Sequence, residues 1–256
     1  MNPLQAALHR LYLPHDAQPE GQNESDPTIR LIDANGQVRT LVVEVARQAG
    51  WAGVAALWQG VQNELDLPAP AIAVSGVDSY QVWLSLADPV PLAQALAFLA
   101  ALRLRYLGAI AAKHIRLQPQ ADDPAAPTQG VRRVPAVQGT SGRWSAFVAA
   151  GLASMFADEP WLDLPPNPDA QAKLLAGIKS IQPAEFRLAQ EWLQSAHAPA
   201  AAAVVPVVAD ASHPVQDPKC FLLAVMNDHA IEMSLRIEAA KALLPYCEPD
   251  ESAPHV

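Results

Sequence analysis

Between Leu41 and Arg116 the hydrophobic period switches repeatedly between two and about 3.6 residues, and this order constrains the fold more than any other feature. Leu41-Val42-Val43-Glu44-Val45 is an apolar run of the kind found in central strands, interrupted by one acid. Trp51 to Leu65 then places Val54, Leu57, Trp58, Val61 and Leu65 on one helical face, and Leu67-Pro68-Ala69-Pro70 ends it. Ala71–Val74 reads as a short strand, Ser75-Gly76-Val77-Asp78-Ser79 as a turn and Tyr80–Leu86 as a second strand. Asp88-Pro89-Val90-Pro91 predicts a helix start, with Asp88 as cap and proline in the first turn, and the helix runs to Leu107. Lys113–Leu117 closes the series as a strand. The order predicts an α+β fold, a mixed sheet with flanking helices, followed by an α-helical C-terminal part.

The flanks are less regular. Residues 3–13 form an amphipathic stripe of Leu4, Ala7, Leu8 and Leu11, and polar residues 15–27 read as a loop. Thr28 to Val45 carries Asn35-Gly36 between apolar runs, which predicts a β-hairpin with a type I′ turn. Residues 1–118 are taken as the α+β domain and 119–142, with its prolines and glycines, as a linker. Residues 143–194 are read as a mostly helical segment: Trp144–Phe156, then Pro168–Ile178 and Pro183–Leu193. An Ala/Pro-rich linker spans 195–217, a helical hairpin 218–247 and an acidic tail 248–256.

The 256 residues carry a net charge of −9, unevenly placed. Residues 1–120 hold 8 Lys and Arg against 10 Asp and Glu, whereas 194–256 hold 3 against 8. Dominant attraction to a phosphate backbone is therefore not expected of the whole chain, although a local basic patch is compatible with it. The cysteines, Cys220 and Cys247, have neither disulfide-framework nor zinc-ligand spacing. His9 and Arg10 interrupt the first apolar run, so no secretory signal is expected, and no apolar run approaches a membrane span. A cytoplasmic location follows as the expectation.

The run Ala71-Ile72-Ala73-Val74-Ser75-Gly76-Val77-Asp78-Ser79-Tyr80-Gln81-Val82-Trp83-Leu84 resembles the Ser-Gly-x-Gly-x-His-x-Trp type of motif in the archaeo-eukaryotic primase family. With the element order around it, the resemblance covers roughly residues 1–120. It implies a metal-dependent nucleotidyl-transfer core, in which alternating acids on the first strand and an acid on the late strand hold divalent ions. Here that alternating pair is Val42 and Glu44, Gln81 stands where the family's phosphate-contacting histidine would be, and Ile115 or a neighbour occupies the late acid position. One carboxylate does not hold two catalytic metals. The resemblance therefore implies a degenerate, non-catalytic site with Glu44 as its vestige. No cofactor is expected, Mg²⁺ or Mn²⁺ entering only if catalysis persists.

Several residues remain candidates for nucleotide or nucleic-acid binding: Ser75, Gln81, Arg103, Arg105, Lys113, His114 and Arg116. Each also has an ordinary structural reading. Glu44 suits a strand-end acid, Gln81 a surface amide, and the arginines a solvated face with stems over the sheet edge. Trp51, Trp58, Trp83, Trp144, Trp161 and Trp192 fit core packing better than base stacking, with Trp83 the first to test. Arg132-Arg133 adds charge to the linker. Ser141 in Gly139-Thr140-Ser141-Gly142 lacks the strand-turn-helix setting of a nucleophile elbow.

Residues 221–228 and 235–246 resemble a short segment of phage terminase small subunits, implying docking or self-association. Three functions follow as expectations. The first is a non-catalytic, primase-like accessory protein of a prophage or mobile element that binds DNA, RNA or nucleotide weakly. The second is an interaction module contacting replication or packaging proteins through 218–247. The third is an active nucleotidyltransferase using Glu44 with Asp33 or Asp78.

Overall fold

The computed structural model describes residues 2–14, 28–120, 130–139, 141–197 and Lys241. Met1–Pro199 form one compact unit and Ala200–Val256 another; of the hairpin and tail expected at 218–256 the described residues include Lys241 alone, which is helical, and both cysteines lie outside them.

Strand β2 (Gln37–Ala46) has the apolar run anticipated for a central strand, and both its faces are covered. It pairs with β4 (Ser79–Pro91) on one side and β5 (Ile115–Gln118) on the other. β4 pairs in turn with β3 (Ala71–Val74), and β3 with β7 (Ala146–Val148). The five-stranded order is β5-β2-β4-β3-β7, with antiparallel pairing throughout. Helix α2 (Trp51–Asn63) connects β2 to β3, and α3 (Leu92–Leu107) connects β4 to β5. The first four strands thus form a split βαβ arrangement, which many unrelated functions share. The α+β expectation holds, but the sheet is antiparallel and not mixed; parallel pairing among the described residues is confined to the bridge Leu86–Ile181.

Side-chain alternation divides the core. Leu41, Val43, Val45, Ile72, Val74, Tyr80, Val82 and Leu84 face α2, α3 and α5 (Pro183–His197). Val42, Ala71, Ala73, Trp83 and Phe147 face the other way. There they meet α1 (Pro3–Tyr12), α4 (Pro168–Ala176) and a two-stranded ribbon of β1 (Thr28–Arg30) with β6 (Gly130–Arg132). Asn2 caps α1 with a capping box, and Arg10 closes the C-terminal end of α4 by donating to the carbonyls of Leu175 and Ile178.

Four further sequence expectations are corrected. The chain reverses at Asn35-Gly36 as a short hairpin, with Ile32 bridging Val38 and Asp33 N donating to Gln37 O, but β1 itself pairs with β6 instead of β2. The turn is built on Asp33, whose side chain accepts from Asn35 N and Gln37 N, and Gly36 at φ 73° is its one left-handed residue, so it is not type I′. Asp88 caps no helix, because β4 runs on to Pro91, where Val90 and Pro91 pair with Val38 and Gln37 past a bulge. Residues 119–142 are not simply a linker, since Gly130–Arg132 pair with β1. Nor is 143–194 a separate helical segment: Trp144 makes strand bridges, β7 joins the main sheet, and only a 3₁₀ segment (Ala150–Phe156) follows before α4. Short strands buried by long-range pairing carry little local signal.

Candidate functional site

One row of residues crosses the main sheet. Glu44 on β2 is the register partner of both Arg116 on β5 and Gln81 on β4, and Gln81 pairs with Ala73 on β3. Residues in one row share a face, here the face under the β1–β6 ribbon. A cavity of about 290 Å³ opens there, lined by Glu44, Gln81, Arg116 and Gln118 from the sheet. Ser75, Asp78 and Ser79 line it from the β3–β4 turn, and Arg132, Gln138 and Ser145 from the ribbon and the chain after it.

Most acceptor oxygens in this cavity are already used. Ser79 Oγ donates to Glu44 Oε1 at 2.5 Å, and Arg116 Nη1 lies 3.6 Å from Glu44 Oε2. The indole N–H of Trp83 donates to Gln81 Oε1 at 3.0 Å. Ser75 Oγ accepts from the backbone N–H groups of Val77 and Ser79, and Gln138 Oε1 accepts from Arg132 Nη1 at 2.6 Å. The cavity thus carries two arginines, the paired Glu44 and an exposed Asp78. Its geometry suits recognition of a polar ligand by donors.

The Ser-Gly turn fixes the cavity wall. Gly76 has φ 80°, in the left-handed region that glycine tolerates. A Cβ there would stand 2.5 Å from Gln138 Cγ and 2.7 Å from Ser145 N. Gly76 N also donates to Pro160 O, so the turn is sewn to the chain that follows β7.

Of the sequence candidates, Ser75, Gln81 and Arg116 converge on this cavity with Glu44. The others do not. Arg103 and Arg105 lie on α3, which covers the opposite face of the sheet; Arg105 donates to Glu64 at 2.7 Å and stacks over Trp192 with 5.4 Å to the ring centre. Lys113 and His114 lie in the 3₁₀ turn before β5, outside the cavity lining. Ile115 points to the helical core, so the position that shares Glu44's face is Arg116. Asp33 holds the β1–β2 turn instead of approaching the cavity. Trp83 is fully buried, in edge contact with Tyr12 at 5.1 Å and with Phe147 at 5.7 Å. Ser141 donates to Gln138 O within its own turn.

The sequence reading missed Ser79, Gln118, Arg132, Gln138 and Ser145 as cavity residues. Strand parity from Glu44 reaches Ser79 and Gln118; no local pattern reaches the ribbon residues. A second cleft of about 510 Å³ contains Arg10, Arg39 and Lys179, but its two arginines are committed to carbonyls. Arg39 donates to those of His9, Leu13, Arg10 and Leu86, which ties the end of α1 to β2. Among the described residues no group of three His, Cys, Asp or Glu is placed to share a metal ion, and no helix is long and apolar enough to cross a membrane. Protein-family models and curated protein sequences were both searched, and none matches this chain.

Proposed function

We propose that residues 1–199 form a nucleotide- or nucleic-acid-binding module of accessory character, built on a primase-like scaffold and without nucleotidyl transfer of its own. The observation that carries this reading is the state of Glu44. Its carboxylate takes the Ser79 hydroxyl and faces Arg116, so the acid at the centre of the row serves to position a cation. Beside it Gln81 presents an amide with its oxygen already occupied. Donors beside a held guanidinium recognise phosphate oxygens, whereas transfer chemistry needs several free carboxylates around metal ions.

The test is a titration of ATP and of short single-stranded DNA and RNA at low salt, alongside a primer-synthesis assay with Mg²⁺ and Mn²⁺. Binding that weakens with salt and in Arg116→Gln, without incorporation, is the expected result. Metal-dependent incorporation that disappears in Glu44→Ala would sink the accessory reading. A protein-docking role is the second reading, favoured by Met155 and Leu164 standing 77% and 75% exposed. Absence of all nucleotide binding, with Met155→Ser releasing a captured partner, would select it.

A further inference from the structure

We infer that Arg132 completes this cavity as a receptor for the terminal phosphate of a small phosphate monoester, gripped between Arg116 on the sheet and Arg132 on the ribbon. The inference rests on the nucleotide-binding reading above and narrows its ligand. Arg132 belongs to β6 and is held by Gln138 Oε1 at 2.6 Å, while Gln138 packs on Gly76 of the Ser-Gly turn. The ribbon therefore delivers a second guanidinium to the cavity that already holds Arg116.

The polar inventory decides the ligand's chemistry. Glu44 Oε1, Gln81 Oε1, Ser75 Oγ and Gln138 Oε1 all accept from groups of the protein itself. Gln81, 5% exposed, makes no hydrogen bond through its amide nitrogen among the described residues, and that nitrogen is a donor. The remaining guanidinium N–H groups of Arg116 and Arg132 are donors too. A donor-rich interior matches a ligand end made only of acceptors, and two guanidinium forks favour the dianionic monoester over the singly charged diester. Asp78, exposed at the rim, the second carboxylate oxygen of Glu44, 3.6 Å from Arg116, and the Gln118 amide oxygen are the exceptions; the two carboxylates repel anions, and Asp78 suits a hydroxyl on the body of the ligand. The cavity, about 290 Å³, lies at the low end of small-molecule sites, which run from ~300 to 1,000 Å³. That size fits a single phosphate-bearing unit.

The full chain is titrated calorimetrically with AMP, adenosine, inorganic phosphate and a short oligonucleotide lacking terminal phosphates. AMP should bind about tenfold or more tightly than adenosine, and Arg116→Gln and Arg132→Gln should each weaken AMP about tenfold, as loss of a charged hydrogen bond requires. Arg105→Gln, on the opposite face, should bind AMP like the parent. Should Arg132→Gln lower the unfolding temperature, Arg132→Lys keeps the charge without the fork and should bind AMP with intermediate affinity. Parent-like AMP affinity in Arg132→Gln, with a loss in Arg116→Gln, overturns the two-arginine receptor and leaves the nucleotide-binding reading intact. Equal affinity for AMP and adenosine, or an unphosphorylated oligonucleotide binding more tightly than AMP, does the same. If no probe binds, both readings fall.

Discussion

Glu44 lies directly opposite Arg116 across β2 and β5, with Oε2 3.6 Å from Nη1, while its other carboxylate oxygen takes the Ser79 hydroxyl. Arg116 has a side chain 61% exposed and Glu44 one only 17% exposed. The pair is therefore screened on the arginine side, and its main effect is to orient the guanidinium at the cavity. Such exposed pairs contribute roughly 0.2–1 kcal/mol.

Glu44→Gln tests that balance. The amide keeps an oxygen for Ser79 but no longer holds Arg116 by charge. Affinity for AMP should fall, by up to about fivefold, the range that a pair of this strength corresponds to. Calorimetric titration of parent and variant reads it directly. A rise in affinity would show that the carboxylate competes with the ligand for Arg116 instead of orienting it.

Gly76→Ala combines a left-handed backbone with a Cβ that would meet Gln138, Ser145 and the backbone of Trp144 within 2.9 Å. The strain should cost about 1–3 kcal/mol and displace Gln138, which holds Arg132. Loss of AMP binding out of proportion to the loss of stability is the expected pattern, measured by denaturant unfolding and titration together. Gly36→Ala is the control, because Gly36 is also left-handed but a Cβ there meets nothing within 4 Å. It should lose stability alone.

How much of this was legible in the sequence depends on which contacts are local. β2, α2, β3, the start of β4, α3 and β5 follow from periodicity and turn residues, and the parity of Glu44, Gln81 and Arg116 was implicit in them. Arg103 and Arg105 misled because charge density along α3 does not reveal which sheet face the helix covers. Asp88-Pro89 looked like a helix start, yet pairing with Gln37 and Val38 held that stretch as strand. Arg132 and Gln138 were invisible because β6 spans only three residues and pairs with β1 a hundred positions away.

Alkaline unfolding should be steeper than a chain of ordinary tyrosines would give. Burial foremost, and then the Glu64 carboxylate, push the Tyr106 phenol up to about 12, whereas an unfolded tyrosine titrates near 10. Between these values the folded state binds more protons than the unfolded state, so stability falls as pH rises through about 10 to 12 and is unaffected below. Tyr12 and Tyr80 are shifted upward as well, chiefly by burial. Tyr106→Phe should flatten the pH dependence in that window without abolishing it, as read from urea midpoints at several pH values. An unchanged slope would mean that Tyr106 ionises normally in the folded chain.

The edge of the sheet at β7 is closed by one side chain. Gln171 on α4 accepts from Phe147 N at 2.8 Å and donates to Phe147 O at 2.9 Å, so its amide replaces a neighbouring strand. All of these groups are buried, and Gln171 is 7% exposed. Gln171→Leu would leave the outward N–H and C=O of Phe147 without partners, at a cost of about 1–3 kcal/mol. Gln171→Glu preserves shape and an acceptor for the N–H but sets a carboxylate against the Phe147 carbonyl, so it should be at least as destabilising. The two variants together separate hydrogen bonding from packing. Were Gln171→Leu to unfold at the parent's urea midpoint, packing of α4 against β7 rather than the amide pair would hold this edge.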